Sequence, residues 1–248
     1  MERVRYAIES NCPIGEGVYE LLLRGDTSPF TAPGQFAALA LEGFFLRRPI
    51  SVCDWEEDRL TLVYKIQGKG TAALAEYAPG ASLDVLAGLG NGYDMSKSGH
   101  APLLAGGGVG TPPLYGLCRR LVAEGKRPAA ALGFNRARDV ILADRFAALG
   151  VPVYLATVDG SAGAKGFVTD VMARAEAYSY VYACGPEPML RSVWEKSETG
   201  GQFSFEERMG CGFGACMGCS RETVSGSKRI CRDGPVLEKE EIAWPARR

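Results

Sequence analysis

Apolar positions in the first part of the chain come in short runs broken by Gly and Pro: Tyr19 to Leu23, Gln35 to Leu41, Pro49 to Cys53, Arg59 to Tyr64 and Ser82 to Leu86. Runs of this length and spacing predict a small antiparallel β-barrel over residues 1–95. From Pro102 the pattern changes. Apolar stretches at Leu103 to Ala105, Ala129 to Gly133, Val153 to Ala156 and Tyr180 to Ala183 alternate with helical segments such as Pro112 to Glu124. That alternation predicts a parallel α/β nucleotide-binding domain over residues 96–200. The last stretch, 201–248, is too short for a core of its own, so a metal centre, the other domains or a partner must order it.

Composition changes this picture little. Hydrophobic residues make up 46% of the chain, enough to fill such cores, and a formal charge of −1 gives no electrostatic reason to expect nucleic acid or an anionic membrane as partner. No apolar run reaches the roughly 18 to 20 residues that span a bilayer. Met1 to Arg5 lacks the apolar stretch of a signal peptide, so the expected location is the cytoplasm. In a reducing compartment the eight cysteines read as metal ligands or redox groups before disulfides. Cys12, Cys53, Cys118 and Cys184 are scattered, whereas Cys211, Cys216, Cys219 and Cys231 fall within 21 residues and need a common explanation.

Their spacing is Cys-x4-Cys-x2-Cys-x11-Cys, and the x4, x2 arrangement is that of plant-type [2Fe–2S] sites. Three thiolates must converge from one tight loop. Gly212, Gly214 and Gly218 supply positions that tolerate positive φ and close approach of backbone to inorganic sulfide. The competing reading is a four-thiolate zinc site, which usually presents two Cys-x2-Cys knuckles; this segment has one.

Two further constellations suit nucleotides. Arg47-Arg48-Pro49-Ile50-Ser51 ends a predicted strand, and Val63-Tyr64-Lys65 is followed by Gly68-Lys69-Gly70-Thr71 ahead of a helical stretch from Ala72 to Tyr77. An arginine there can clamp a pyrophosphate, a serine can meet the polar edge of an isoalloxazine, and a glycine turn lets backbone N–H groups reach an anion. Each piece alone also suits a solvated strand end or a plain turn. Farther on, strand Leu103 to Ala105 runs into Gly106-Gly107-Gly108-Val109-Gly110, with Thr111 as the expected N-cap and Pro112 in the first helical position. A second strand ends in Cys184-Gly185-Pro186. In a doubly wound sheet both turns lie on the carboxyl edge, where ligands bind. Cys184 also suits a small buried apolar role, and His100, in a polar connector, is assigned no catalysis.

Barrel, nucleotide domain, Arg48-Pro49-Ile50-Ser51, Gly106 to Leu114 and Cys184-Gly185-Pro186, in this order over nearly the whole chain, resemble the ferredoxin reductase superfamily. The tail, Glu206 to Cys219 with Cys231-Arg232-Asp233-Gly234-Pro235-Val236, is similar to that of the electron-transfer subunits of two-subunit, NAD-linked dihydroorotate dehydrogenases. The resemblance implies FAD contacts at Arg48, Pro49, Ile50 and Ser51, at Val63, Tyr64 and Lys65, and at Gly70 and Thr71. It also implies iron ligation by all four clustered cysteines. Ile50 stands where the wider superfamily often has a flavin-stacking Tyr, and the gap of eleven before Cys231 is on the short side.

Nicotinamide exchanges a hydride, flavin takes two electrons and releases them singly, and a [2Fe–2S] cluster carries one at a time. The resemblance thus implies FAD, a [2Fe–2S] cluster and NAD here, and FMN in a separate catalytic partner, with two copies of each subunit. A reductase component of a hydrogenase or sulfide-linked complex, and a non-catalytic metal-binding adaptor, are the alternatives. Phe134-Asn135-Arg136-Ala137-Arg138-Asp139 offers both an acid and arginines, so NADH and NADPH stay open.

Overall fold

The computed structural model describes residues 1–175 and 177–244. Its chain begins with β1 (Glu2–Gly15), β2 (Val18–Arg24), β3 (Phe36–Ala40), β4 (Arg48–Glu56), β5 (Arg59–Lys65), helix α1 (Lys69–Ala75) and β6 (Ser82–Leu89). The six strands close into an antiparallel barrel in the order β1-β2-β5-β4-β3-β6. β1 lies ahead of the runs picked out above. Its buried Tyr6 and Ile8 alternate with exposed Arg5, Ala7 and Glu9, the period of a half-buried strand. Leu21, Leu23, Leu39, Leu60, Leu62 and Val85 fill the barrel with them. Asn11 Nδ2 donates to the carbonyls of Leu74 at 2.8 Å and Tyr77 at 3.2 Å, tying β1 to the end of α1.

The second part runs β7 (Pro102–Gly107), α2 (Thr111–Ala123), β8 (Ala129–Phe134), α3 (Ala143–Ala148), β9 (Val153–Thr157), β10 (Ala164–Lys165), α4 (Val168–Met172), β11 (Tyr180–Cys184), α5 (Glu187–Lys196) and β12 (Gly201–Ser204). A hairpin of β13 (Ser220–Thr223) and β14 (Gly226–Arg229), the short helix α6 (Ile230–Asp233) and β15 (Val236–Glu238) follow. The sheet order is β10-β9-β8-β7-β11-β12-β15, parallel throughout except for β12 against β15. Leu103, Leu104 and Ala105 of β7 and Val181, Tyr182 and Ala183 of β11 are fully buried, as expected of central parallel strands covered on both faces. Strand order reverses between β7 and β11, which marks the ligand-binding edge. The division expected at residue 200 falls ahead of β12, so Gly201–Ser204 belongs to this sheet, and so does β15 beyond the cysteines.

Barrel and sheet are held together by α2 lying on β4. A Cβ on Gly116 would stand 2.5 Å from the Cys53 carbonyl oxygen, so a bare backbone is needed for the approach. Asp54, with 9% of its side chain exposed, accepts from Arg119 and, at 2.9 Å, from Arg120. Arg120 also lies 3.6 Å over the Trp55 ring. Arg145–Glu20 and Arg138–Glu16 add ion pairs between the two parts. Among the described residues no helix is long and apolar enough to cross a membrane. Asp54→Ala strips two arginines of their shared acceptor and is expected to cost about 1 to 3 kcal/mol, read as a lower urea midpoint. Glu56→Ala, at a carboxylate 60% exposed, is expected to cost within about 0.5 kcal/mol.

Candidate flavin, nucleotide and cluster sites

β4 pairs with β3 from Arg48↔Leu39 to Ser51↔Phe36, but its ladder with β5 begins only at Val52↔Leu62. β5 runs on through Val63, Tyr64 and Lys65, paired with Glu20, Tyr19 and Val18 of β2. The barrel therefore splays between Arg48–Ser51 and Val63–Lys65, whose facing backbone edges are not paired with each other. Arg48 stands at the mouth of this slot. Its Nε lies 2.0 Å from where a Cβ on Gly70 would be, so the side chain rests directly against the bare Gly70 backbone, and its guanidinium lies 4.8 Å from the Phe44 ring centroid.

The nine residues expected at this site are not equivalent. Pro49, Ile50 and Ser51 are half-buried and Lys65 is exposed. Val63 packs in the core beneath α2. Tyr64 points into the barrel, where its hydroxyl donates to Asn11 Oδ1 at 2.9 Å and burial pushes the phenol up to about 12. The Thr71 hydroxyl accepts from the N–H groups of Gln67 at 2.9 Å and Gly68 at 3.3 Å, closing the turn into α1.

On the sheet's carboxyl edge β7 ends at Gly107, a single 3-10 turn spans Gly108–Gly110, and α2 starts at Thr111 with Gly110 as its N-cap. Thr111 is thus not the N-cap. It sits inside the helix, fully buried, and its hydroxyl has no hydrogen-bond partner. Pro112 and Pro113 follow in the first turn, where a missing N–H costs nothing. Cys184, in register with Gly106, ends β11. A Cβ on Gly110 would stand 2.3 Å from the Cys184 carbonyl oxygen, so the two turns meet backbone to backbone. Gly108 faces open space, with nothing within 4 Å of its would-be Cβ. Burial pushes the Cys184 thiol up to about 12, so it stays protonated and packs as a small apolar group. His100 Nε2 accepts from Arg127 Nε at 3.0 Å, and its carbonyl accepts from Arg127 N at 2.8 Å.

The clustered thiols form two pairs. Ala215 N and Cys216 N donate to Cys211 Sγ at 3.2 and 3.5 Å, and Cys211 N donates to Cys216 Sγ at 3.5 Å. Cys231 N donates to Cys219 Sγ at 3.4 Å. Cys219 and Cys231 are buried in one core with Phe36, Ala38, Leu89 and Phe203, whereas Cys216 is exposed beside exposed Phe213 and Met217. Among the described residues no three potential ligands converge on a single ion position. Gly212 and Gly214 take positive φ, but Met217, at φ 61°, takes the third such position in place of Gly218. A Cβ on Gly212 would stand 3.9 Å from Ala38 Cβ, and Ala38 pairs with Pro49, which puts the cysteine loop one strand from the splayed slot.

The thiol pairs differ electrically. Burial opposes ionisation of Cys211, but N–H groups of Cys216, Phe213 and Ala215 outweigh it and bring the thiol down to about 6. Burial, and then the neighbouring Cys219, push Cys231 up to about 12. Two groups that sequence reasoning passed over hold the loop. Arg229 Nη1 donates to the Gly214 carbonyl at 2.9 Å while its Nε pairs with Asp233 at 3.1 Å, an i,i+4 spacing that the sequence displays. Asn91, just beyond β6, donates from Nδ2 to the Val236 carbonyl at 2.8 Å and accepts from Val236 N at 3.1 Å. Of two solvent-open hollows, one of about 420 Å³ lies away from these residues beside Arg5, Tyr77 and Asp84, and one of about 470 Å³ adjoins the Asn91–Val236 contact, with Asp94, Gln202, Asp233 and Glu238 in its lining.

An antiparallel barrel joined to a doubly wound sheet is the fold of the ferredoxin reductase superfamily, and here a cysteine loop is seated at the junction of the two. A solved chain of NADH-dependent reduced ferredoxin-NADP oxidoreductase superposes with a TM-score of 0.87 at 30% identity, over 96% of this chain and 90% of that one. The flavohem-like FAD/NAD binding domain of nitric oxide dioxygenase from Vibrio cholerae O1 biovar El Tor shares the fold, with a TM-score of 0.69 at 19% identity over 79% of this chain and 92% of that one. More narrowly, the chain belongs to the family of dihydroorotate dehydrogenase B (NAD(+)) electron transfer subunits. It is 41% identical to the subunit of Bacillus pumilus (strain SAFR-032), over 98% of this chain and 99% of that one. With the subunit of Bacillus caldolyticus the identity is 42%, over 97% and 98%. Residues 206–243 match the family model for the iron-sulfur cluster binding domain of dihydroorotate dehydrogenase B.

In metal-free protein at pH 7, Cys211 is expected to be alkylated by iodoacetamide well before Cys231, because the thiolate is the nucleophile. Buried Cys118 and Cys184, both pushed up to about 12 by burial, should resist with Cys231. Mass spectrometry of the time course checks the order, and Cys231 reacting first would contradict it.

Proposed function

We propose that this chain is the electron-transfer subunit of an NAD-dependent dihydroorotate dehydrogenase in pyrimidine biosynthesis, carrying electrons between the FMN of a separate catalytic subunit, a [2Fe–2S] cluster, FAD and NAD. The observation that carries the reading is the seating of two cysteine pairs one strand away from the splayed barrel slot. Two pairs suit a binuclear cluster, in which each iron takes two thiolates, better than one tetrahedral zinc ion, which needs four at a single point. Cys219 and Cys231 are buried in the core that barrel and sheet share, whereas Cys211 is half-buried and Cys216 exposed beside Phe213 and Met217, where a partner protein can approach.

Arg48 would hold the FAD pyrophosphate, with the turn at Gly70 and Thr71 closing against it. Since the Thr71 hydroxyl is taken up in that turn, Thr71 would act through its place in the turn. The facing backbone edges of Pro49, Ile50 and Ser51 and of Val63, Tyr64 and Lys65 would meet the polar rim of the flavin ring. The turns Gly106-Gly107-Gly108-Val109-Gly110-Thr111 and Cys184-Gly185-Pro186 would hold the nicotinamide nucleotide where strand order reverses. When bound, these groups supply hydride exchange, a two-to-one electron conversion and single-electron carriage. The chain's own contribution is position and exclusion of water, and no side chain is asked to act as general acid or base.

Arg48→Ala is expected to weaken FAD binding roughly ten- to a hundredfold, the loss of a charge-assisted hydrogen bond of about 1.5 to 3 kcal/mol. Flavin titration of the apoprotein measures it, and undiminished affinity would remove Arg48 from the site. The proposal as a whole is tested on the purified chain by visible spectrum and by iron, sulfide and flavin content, followed by assays. Flavin with iron and sulfide in equal amounts is expected, with NADH oxidised by an artificial acceptor. Dihydroorotate should be turned over only after the FMN-containing partner is added to form the hetero-oligomer, with two copies of each subunit. A colourless zinc protein, or robust dihydroorotate oxidation by this polypeptide alone, would overturn the reading.

A further inference from the structure

The β13–β14 hairpin pairs only with itself and joins neither the barrel nor the large sheet, apart from a single bridge between Thr223 and Ile242. It nevertheless carries the buried thiol pair: Cys219 immediately precedes β13, Cys231 follows β14, and Ile230 N donates to the Cys219 carbonyl at 3.1 Å. Its side chains must therefore set its position. Lys228 pairs with Glu241 and Arg229 with Asp233, and both of these acids belong to the C-terminal segment itself. Arg221 reaches farther. Its guanidinium donates to Glu207 at 3.0 Å and to Glu187, the first residue of α5, directly after Cys184-Gly185-Pro186. Its face lies 4.2 Å from the Phe205 ring centroid and 5.7 Å from that of Trp244.

We infer that Arg221 is a positioning residue that ties the cysteine hairpin to the nucleotide-binding turn and so fixes the separation of the cluster from the flavin and nicotinamide sites. The inference rests on the function proposed above and adds no chemical step, since Arg221 touches no reacting atom. Only 12% of the side chain is exposed, although its partner Glu187 is 55% exposed, so the cation is held mostly out of water between rings and carboxylates. A planar fork donates from its edge while it stacks by its face, and lysine can do only one of these well. Among the described residues this is the one ion pair that runs from the hairpin to α5. Electron transfer between centres falls steeply with their separation, so a hairpin released from α5 is expected to affect the cluster step and leave hydride transfer in place.

The test uses holoprotein of the parent, Arg221→Ala, Arg221→Lys and Glu187→Gln. Stopped-flow mixing with NADH follows flavin and cluster reduction separately, electron paramagnetic resonance reports the reduced cluster, and hydrogen exchange reports the backbone of residues 219–223. In Arg221→Ala, flavin reduction should stay near the parent rate while cluster reduction slows about tenfold or more, the size of effect a small misplacement produces. The resonance should broaden and exchange at 219–223 should quicken. Arg221→Lys should recover only part of the rate, and Glu187→Gln should shift it in the same direction by less. Unchanged cluster reduction and an unchanged resonance in Arg221→Ala would overturn the inference. If that variant does not retain its cluster, Glu187→Gln decides, and a parent-like cluster rate and exchange pattern there overturns it equally. A parent protein lacking iron and sulfide would instead sink the proposed function itself, before any variant is compared.

Discussion

The antiparallel return of β15 onto β12 is the constraint from which the position of the cysteine loop follows. Ser204 pairs with Val236, and Phe205 N donates to the Pro235 carbonyl at 2.9 Å, so the long excursion between them starts and ends at one point on the sheet edge. Asn91 closes the same point from the barrel side, exchanging hydrogen bonds with Val236 as a strand neighbour would. Closing a long loop costs entropy that grows only slowly with its length, so ordering the residues inside it is the larger demand. Phe36, Ala38 and Leu89 of the barrel, Phe203 of β12 and Leu237 of β15 meet that demand by sharing one core with Cys219, Ile230 and Cys231. A stretch too short to fold alone is thereby built into two larger bodies at once.

This anchoring gives the loop two unlike sides. The buried side is apolar, and there burial, and then the neighbouring Cys219, push the Cys231 thiol up to about 12. On the outer side successive backbone N–H groups point at Cys211 and lower its thiol to about 6. Donors aimed at sulfur before any metal arrives favour the thiolate form that ligation requires. The same donors can tune a bound cluster by hydrogen bonding to its sulfurs.

The relation between barrel and sheet rests on a different kind of contact. A buried carboxylate shared by two arginines resists sliding because both hydrogen bonds are directional, and leaving either partner unpaired out of water is costly. Asp54 supplies that fixity beneath α2, the helix that begins at the Gly108–Gly110 turn. Gly116 lets the helix approach the backbone of β4, and Gly110 lets the turns after β7 and β11 meet. The slot, the turns and the cysteine loop are thus held by three separate contacts, each made by a few side chains.

Much of this was legible along the chain because it is local. Period-two and alternating strand-helix patterns marked the barrel and the parallel sheet, and the Cys-x4-Cys-x2-Cys spacing marked the metal loop, since these are properties of neighbours in sequence. Arg48 and Gly70 lie 22 positions apart in the sequence, and only folding brings the guanidinium against the glycine. What the sequence could not decide depends on pairings between distant residues. The inward turn of Tyr64 follows from strand register, the enlistment of β12 and β15 in one sheet from edge pairing, and the partnerless Thr111 hydroxyl from where β7 runs into α2. The two-pair grouping of the thiols is of the same kind. Spacing grouped the four cysteines, but which of them lie buried and which stand more open was decided by the tertiary structure, because burial is set by the surfaces that fold onto the loop and not by the loop itself.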